Sequence, residues 1–209
     1  MLKKIVCIGL ILSSSVVFAC PSGLSRLPYG SPVSLGPTVY SVVTSNPAFA
    51  TVIYNARNAW NVTSAANYIG GWSGRVTGSD CPSGEMQIGA VAYSGGGGTC
   101  GFLPPSGAAL AFMDFATRSI TVNLNYSWSL SPGPGQYDLQ SVLTHEFGHV
   151  LGLAHQDAGV CNTTSSASCA TTPNKETMGA GQYDGETCQR DLSTNDINSA
   201  NNLYNGGGF

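Results

Sequence analysis

The order of elements along this chain predicts an α+β domain. Three observations carry it: one early apolar helix, a run of short strands in the middle, and two helices at the end separated by a long polar segment. The chain has 209 residues, enough for one domain with a real hydrophobic core and too few for two of ordinary size. Residues 1–19 are expected to be an export signal. Lys3 and Lys4 give the positive start, Ile5 to Leu12 an apolar stretch, and Val17-Phe18-Ala19 a small-x-small cleavage site. Residues 20–37, rich in Pro, Gly and Ser, are expected to be extended. The domain proper is expected over 38–209.

The elements follow in order. Thr38 to Thr44 alternates weakly and predicts a first strand. Asn46 to Trp60 predicts a helix with Asn46 as N-cap and Pro47 at the first position; Phe49, Val52, Ile53, Ala56 and Trp60 fall at helical spacing. Glu85 to Tyr93 predicts a strand, and Ser94 to Gly101 a Gly-rich surface loop. Ala108 to Phe115 and Ser119 to Asn125 predict two more strands. Ser131 to Gly135 breaks the chain before a helix from Tyr137 to Leu151, with Leu139, Val142, Leu143, Phe147 and Val150 on its apolar side. Asp157 to Gln189 is polar and cysteine-bearing. Ser193 or Thr194 caps a last helix to about Tyr204, whose inner side is predicted as Ile197, Ala200, Asn201 and Tyr204.

Composition excludes several classes. Only 9% of residues are charged and the net charge is −3, so the clustered basic face of a nucleic-acid binder is missing. At 42% apolar the chain is not a disordered one. No segment offers the run of apolar residues that a transmembrane helix needs. Without the leader's Cys7, the cysteines are Cys20, Cys81, Cys100, Cys161, Cys169 and Cys188, an even set that suits an oxidising compartment. Secretion is therefore expected. The alternative is a lipoprotein anchored through an acylated Cys20, since that residue directly follows the predicted cut.

The chemistry concentrates in His145-Glu146-Phe147-Gly148-His149-Val150-Leu151-Gly152-Leu153-Ala154-His155. Residues four apart share a helix face, so His145 and His149 can offer imidazoles to one ion. Gly152 accepts a left-handed turn cheaply and can swing His155 round as a third ligand. Three protein ligands leave a position open for water, the pattern of a catalytic zinc rather than a structural one. Glu146 projects beside them as general base. The chain's 3 histidines all fall within this stretch, which scattered core or surface histidines would not do. The expected activity is secreted zinc-dependent endopeptidase hydrolysis of peptide bonds by a metal-activated water. The alternatives are a binding or adhesion module that kept the fold without turnover, and a metal-dependent hydrolase of non-protein bonds.

The motif resembles the metzincin metalloproteases, and Leu192 to Ile197 through Leu203-Tyr204 is similar to the C-terminal helix of the matrixins among them. Trp128 also has a counterpart there shortly before the active-site helix. The resemblance covers about residues 38–205 and suggests a bacterial-type secreted member without pro-domain. It implies a metzincin-like catalytic domain: a twisted mixed sheet with an antiparallel edge strand, packed on two long helices, with a Met-turn and a C-terminal helix. It makes Met178 the Met-turn residue and puts Leu110 and Ala111 on the substrate-edge strand, where an extended protein or peptide substrate would add as a strand. It implies one catalytic zinc and a monomer. Calcium is common in the family, but the few carboxylates assign no site.

The chain also departs from the family. Phe112 stands where matrixins often carry a ligand for a second zinc. Gly179-Ala180 follows Met178 in place of Tyr-Pro, and Asn195 replaces the first of two acidic residues in the last helix. Spacing leaves disulfide connectivity open; the pairing preferred is Cys81 with Cys100, Cys161 with Cys169, and Cys20 with Cys188. The pocket wall is expected from the segment between His155 and Met178 and from about Gly179 to Gly185.

Overall fold

The computed structural model describes residues 40–43, 47–64, 72–76, 86–91, 109–114, 119–155, 176–179 and 181–205. The predicted leader, the 20–37 segment and the Ser94–Gly101 loop lie outside them. So does Asn46.

The strands are β1 (Tyr40–Val43), β2 (Trp72–Val76), β3 (Met86–Val91), β4 (Ala111–Asp114) and β5 (Ser119–Asn123). They form one sheet in the order β2-β1-β3-β5-β4. The pairings β1–β2, β1–β3 and β3–β5 are parallel. Among the described strands of this sheet only β4 runs antiparallel, against β5, with Phe112 opposite Thr121 and Met113 opposite Ile120. The sheet is thus mixed and mainly parallel, with its antiparallel strand at one edge. Two short strands, β6 (Trp128–Ser129) and β7 (Tyr137–Asp138), pair separately. β2, β6 and β7 were not expected from the sequence. The last two are too short to show alternation, and Trp72-Ser73-Gly74-Arg75-Val76 carries a glycine and a charge that hide it.

Helix α1 (Pro47–Ala59) runs on into a 3₁₀ turn at Trp60–Val62. Its Val52, Ile53, Ala56 and Trp60 are buried as expected. They share one apolar cluster with Ile88, Ile120 and Val122 of the sheet and with Leu139, Leu143, Phe147 and Val150 of the next helix. The Trp60 indole N–H donates to the Thr144 carbonyl at 2.9 Å, fixing one helix to the other. Helix α2 (Leu139–Val150) begins two residues later than predicted, because Tyr137 and Asp138 pair with β6 first. Asp138 is its N-cap, accepting from the Ser141 N–H at 2.8 Å.

Helix α3 (Thr194–Tyr204) starts as expected. Ser193 is the N-cap and closes a capping box with Asp196. Its inner face is corrected: Asp196, Ser199, Ala200 and Leu203 are buried, while Ile197, Asn201 and Tyr204 sit half-buried at the flank. A polarity pattern assigns Asp196 and Ser199 to solvent. Here both side chains are satisfied inside, by the turn described below and by the Asn195 carbonyl. Cys188 opens a 3₁₀ turn (Cys188–Arg190) and is disulfide-bonded; the pairings proposed above reach beyond the described residues. None of the described helices is long and apolar enough to cross a membrane.

Candidate metal centre and active site

Helix α2 carries His145 and His149 on one face and ends at Val150, with Leu151 as its C-cap. Gly152 follows with φ +87°, the left-handed conformation that only glycine adopts without strain. Two backbone bonds close the turn: Gly152 N–H to the His149 carbonyl at 2.8 Å and Leu153 N–H to the Gly148 carbonyl at 3.0 Å. The chain reverses and His155 arrives beside the other two. The Nε2 atoms of His145 and His155 lie 3.0 Å apart, and those of His149 and His155 3.1 Å.

The ring partners fix what those nitrogens can be. His145 Nδ1 is 2.7 Å from the Thr177 carbonyl, and His149 Nδ1 is 2.7 Å from the Leu153 carbonyl. A carbonyl oxygen only accepts, so each Nδ1 carries the proton and each Nε2 presents a lone pair to the centre. Burial holds His145 well below the ordinary imidazole range, helped by the charges His149 and His155 would carry. It also lowers His149 to about 4. Both rings are therefore neutral at pH 7, the form a metal requires. Converging lone pairs repel unless a cation sits among them, and three nitrogens about a tetrahedral ion with 2.0–2.1 Å bonds would stand about 3.3 Å apart. The residues fit zinc: three imidazoles with no thiolate among them, and the Nδ1 atoms of His145 and His149 each partnered by a backbone carbonyl that orients the ring.

Glu146 is buried, with one carboxylate oxygen that has no hydrogen-bond partner among the described residues. Burial pushes its carboxyl up to about 8, against the Met113 N–H of β4, which acts the other way. A cation in the neighbouring histidine cluster would also favour the ionised form. Ala111 opens the edge strand β4, and Leu110 directly precedes it. They line a cavity of about 370 Å³ together with His145, Glu146 and His155. Its far side comes from Gly179, Gly181, Gln182 and Gln189, in agreement with the expected wall near Gly179–Gly185. The wall's other expected contributor, 156–175, lies outside the described residues.

Met178 is fully buried, with its sulfur against Gly148 of α2. A Cβ on Gly148 would run into its sulfur and into the Trp60 ring, so Gly148 lets the helix approach Met178 directly. The turn is held by Asp196, whose carboxylate accepts from Thr177 N–H at 2.8 Å and Met178 N–H at 3.2 Å. Burial raises the Asp196 carboxyl, and these N–H groups oppose the rise. The path is short: Asp196 fixes Thr177, and Thr177's carbonyl orients His145. Sequence reasoning placed Asp196 in the last helix but missed this role. The Ser193-x-x-Asp196 spacing was a signal that could have found its capping bond, while its second set of partners is long-range.

The fold and this site define the class: a domain of metallopeptidase type, with three imidazoles placed to hold a metal. The family model described as Peptidase_M43, pregnancy-associated plasma protein-A, matches residues 99–207, and the chain belongs to that family. It is a different family from the matrixins, to which the sequence motifs pointed. Over 84 residues, 39% of this chain, it is 40% identical to "Metalloprotease AprA" of Pseudomonas entomophila (strain L48). The match spans only 16% of that protein's length.

Proposed function

We propose that this protein is a secreted endopeptidase in which His145, His149 and His155 hold one zinc ion and Glu146 is the general base. The convergence of three imidazole Nε2 atoms beside a buried carboxylate carries this conclusion. Zinc bound there supplies Lewis-acid polarisation of the scissile carbonyl and lowers the pKa of a water ligand. The chain's own groups do the rest. Glu146 accepts a proton from the attacking water and delivers it to the departing amine. Its unpartnered oxygen is consistent with that exchange. The free edge of β4, at Leu110 and Ala111, aligns an extended peptide across the cleft. Thr177 and Leu153 hold the two imidazoles in the ligating tautomer. Met178 buried against Gly148 and the Asp196 anchor on its N–H support a metzincin-type Met-turn. The leader-like residues 1–19 and the even cysteine set support secretion.

Peptide-library digestion tests the activity. Wild type should cut, chelator should abolish cutting, and zinc should restore it. Glu146→Ala should lose about 10²–10⁴-fold in kcat while keeping its zinc. Wild type that holds stoichiometric zinc yet cuts no protein or peptide refutes the endopeptidase. It would leave the non-catalytic binding module or the hydrolase of non-protein bonds.

A further inference from the structure

The cleft beside Glu146 has two walls from distant parts of the chain. Tyr137, Ser141 and Val142 form the near one, at the start of α2; Gly181, Gln182 and Gln189 form the far one. One residue joins them. Asp138 is fully buried between Tyr137 and Leu139. Its Oδ2 accepts from Ser141 N–H at 2.8 Å, Ser141 Oγ–H at 2.7 Å and Arg190 Nε–H at 2.9 Å. Its Oδ1 accepts from Arg190 Nη2 at 2.6 Å, and its backbone carbonyl accepts from Gln182 Nε2 at 3.3 Å. Arg190 directly follows the wall residue Gln189 and also donates to the Leu130 carbonyl. Further along, Gly185 N–H donates to the Gln136 carbonyl at 2.8 Å. Neither Asp138 nor Arg190 lines the cavity.

We propose that the Asp138–Arg190 pair is a positioning brace that sets the separation of the cleft walls and thereby selects which substrate side chain, flanking the scissile bond, can enter. The inference rests on the endopeptidase function proposed above and deepens it. A forked guanidinium on a buried carboxylate fixes direction as well as distance, because two parallel N–H bonds leave no hinge. The same carboxylate caps α2, so the far wall is referenced to the helix that carries His145 and Glu146. Pocket width is the quantity that discriminates substrates differing by a methylene or two.

The test uses the full zinc-loaded chain and a peptide library varied on both sides of the scissile bond. Arg190→Lys keeps the charge but loses the fork. Asp138→Asn keeps an oxygen for the Ser141 cap but cannot accept both arms. Each variant should narrow the kcat/KM ratio between the best and poorest pocket-filling side chains by about tenfold. The change should lie in KM for bulky side chains, with kcat for peptides carrying glycine there, and zinc content, held at wild-type values. An unchanged ratio overturns the brace. So does a parallel fall for all peptides, or failure of both variants to fold, since each marks a stability element only. Wild type that binds zinc and cuts nothing refutes the endopeptidase itself, and the brace's role with it.

Discussion

The two ends of α2 are built on opposite plans. At the C-terminal end, His145, His149, Gly152 and His155 lie within one short stretch, and a single left-handed glycine brings the third imidazole to the other two. At the N-terminal end, Asp138 works through Arg190 and Gln182, some fifty residues away. The Thr177–Met178 turn follows the second plan, with Asp196 reaching back to both N–H groups. Ligands gathered locally cost little loop-closure entropy to assemble. A turn and a wall gathered over distance depend on buried hydrogen bonds that must all be made. The centre should therefore fail in two distinguishable ways.

Substitutions at the two sites should separate them. The largest effect is expected from His149→Ala: zinc lost and cleavage at background by metal analysis and peptide assay, with the apo fold retained by circular dichroism. Asp196→Ala should come next. It leaves the Thr177 and Met178 N–H groups buried without their acceptor and should cost about 3 kcal/mol in denaturant unfolding, with weaker zinc binding because Thr177 no longer holds His145. Gly152→Ala should cost about 1–2 kcal/mol, from the backbone alone. The space is open there, the nearest atom to an added Cβ being Leu203 Cδ2 at 3.7 Å. Its zinc affinity should fall more than its stability suggests, since His155 is displaced. Ser193→Ala should be smallest, about 1 kcal/mol of cap loss with zinc content unchanged. If Ser193→Ala removed zinc as completely as His149→Ala, the separation between ligand set and support would be broken.

The same division explains what was legible in the sequence. His145, Glu146, His149, Gly152 and His155 were readable because a helix converts spacing into a shared face, and glycine marks the turn. Val52, Ile53, Ala56 and Trp60 were readable for the same reason. Leu110 and Ala111 came from resemblance rather than periodicity, and the edge strand that Ala111 opens begins three residues later than the pattern predicted. Asp138 was read as lying inside the helix it caps, and its fork to Arg190 carried no signal, because a long-range ion pair leaves no spacing to detect. Asp196 and Ser199 look like surface residues to any polarity pattern. They are interior because backbone N–H and C=O groups there satisfy them.

X-ray absorption at the zinc edge of the wild-type protein tests the central claim most directly. The three-imidazole centre predicts one zinc per chain with a shell of nitrogen and oxygen neighbours at about 2.0–2.1 Å, imidazole outer-shell scattering from three rings, and no sulfur. A sulfur shell at about 2.3 Å, or scattering from fewer than three imidazoles, would contradict it.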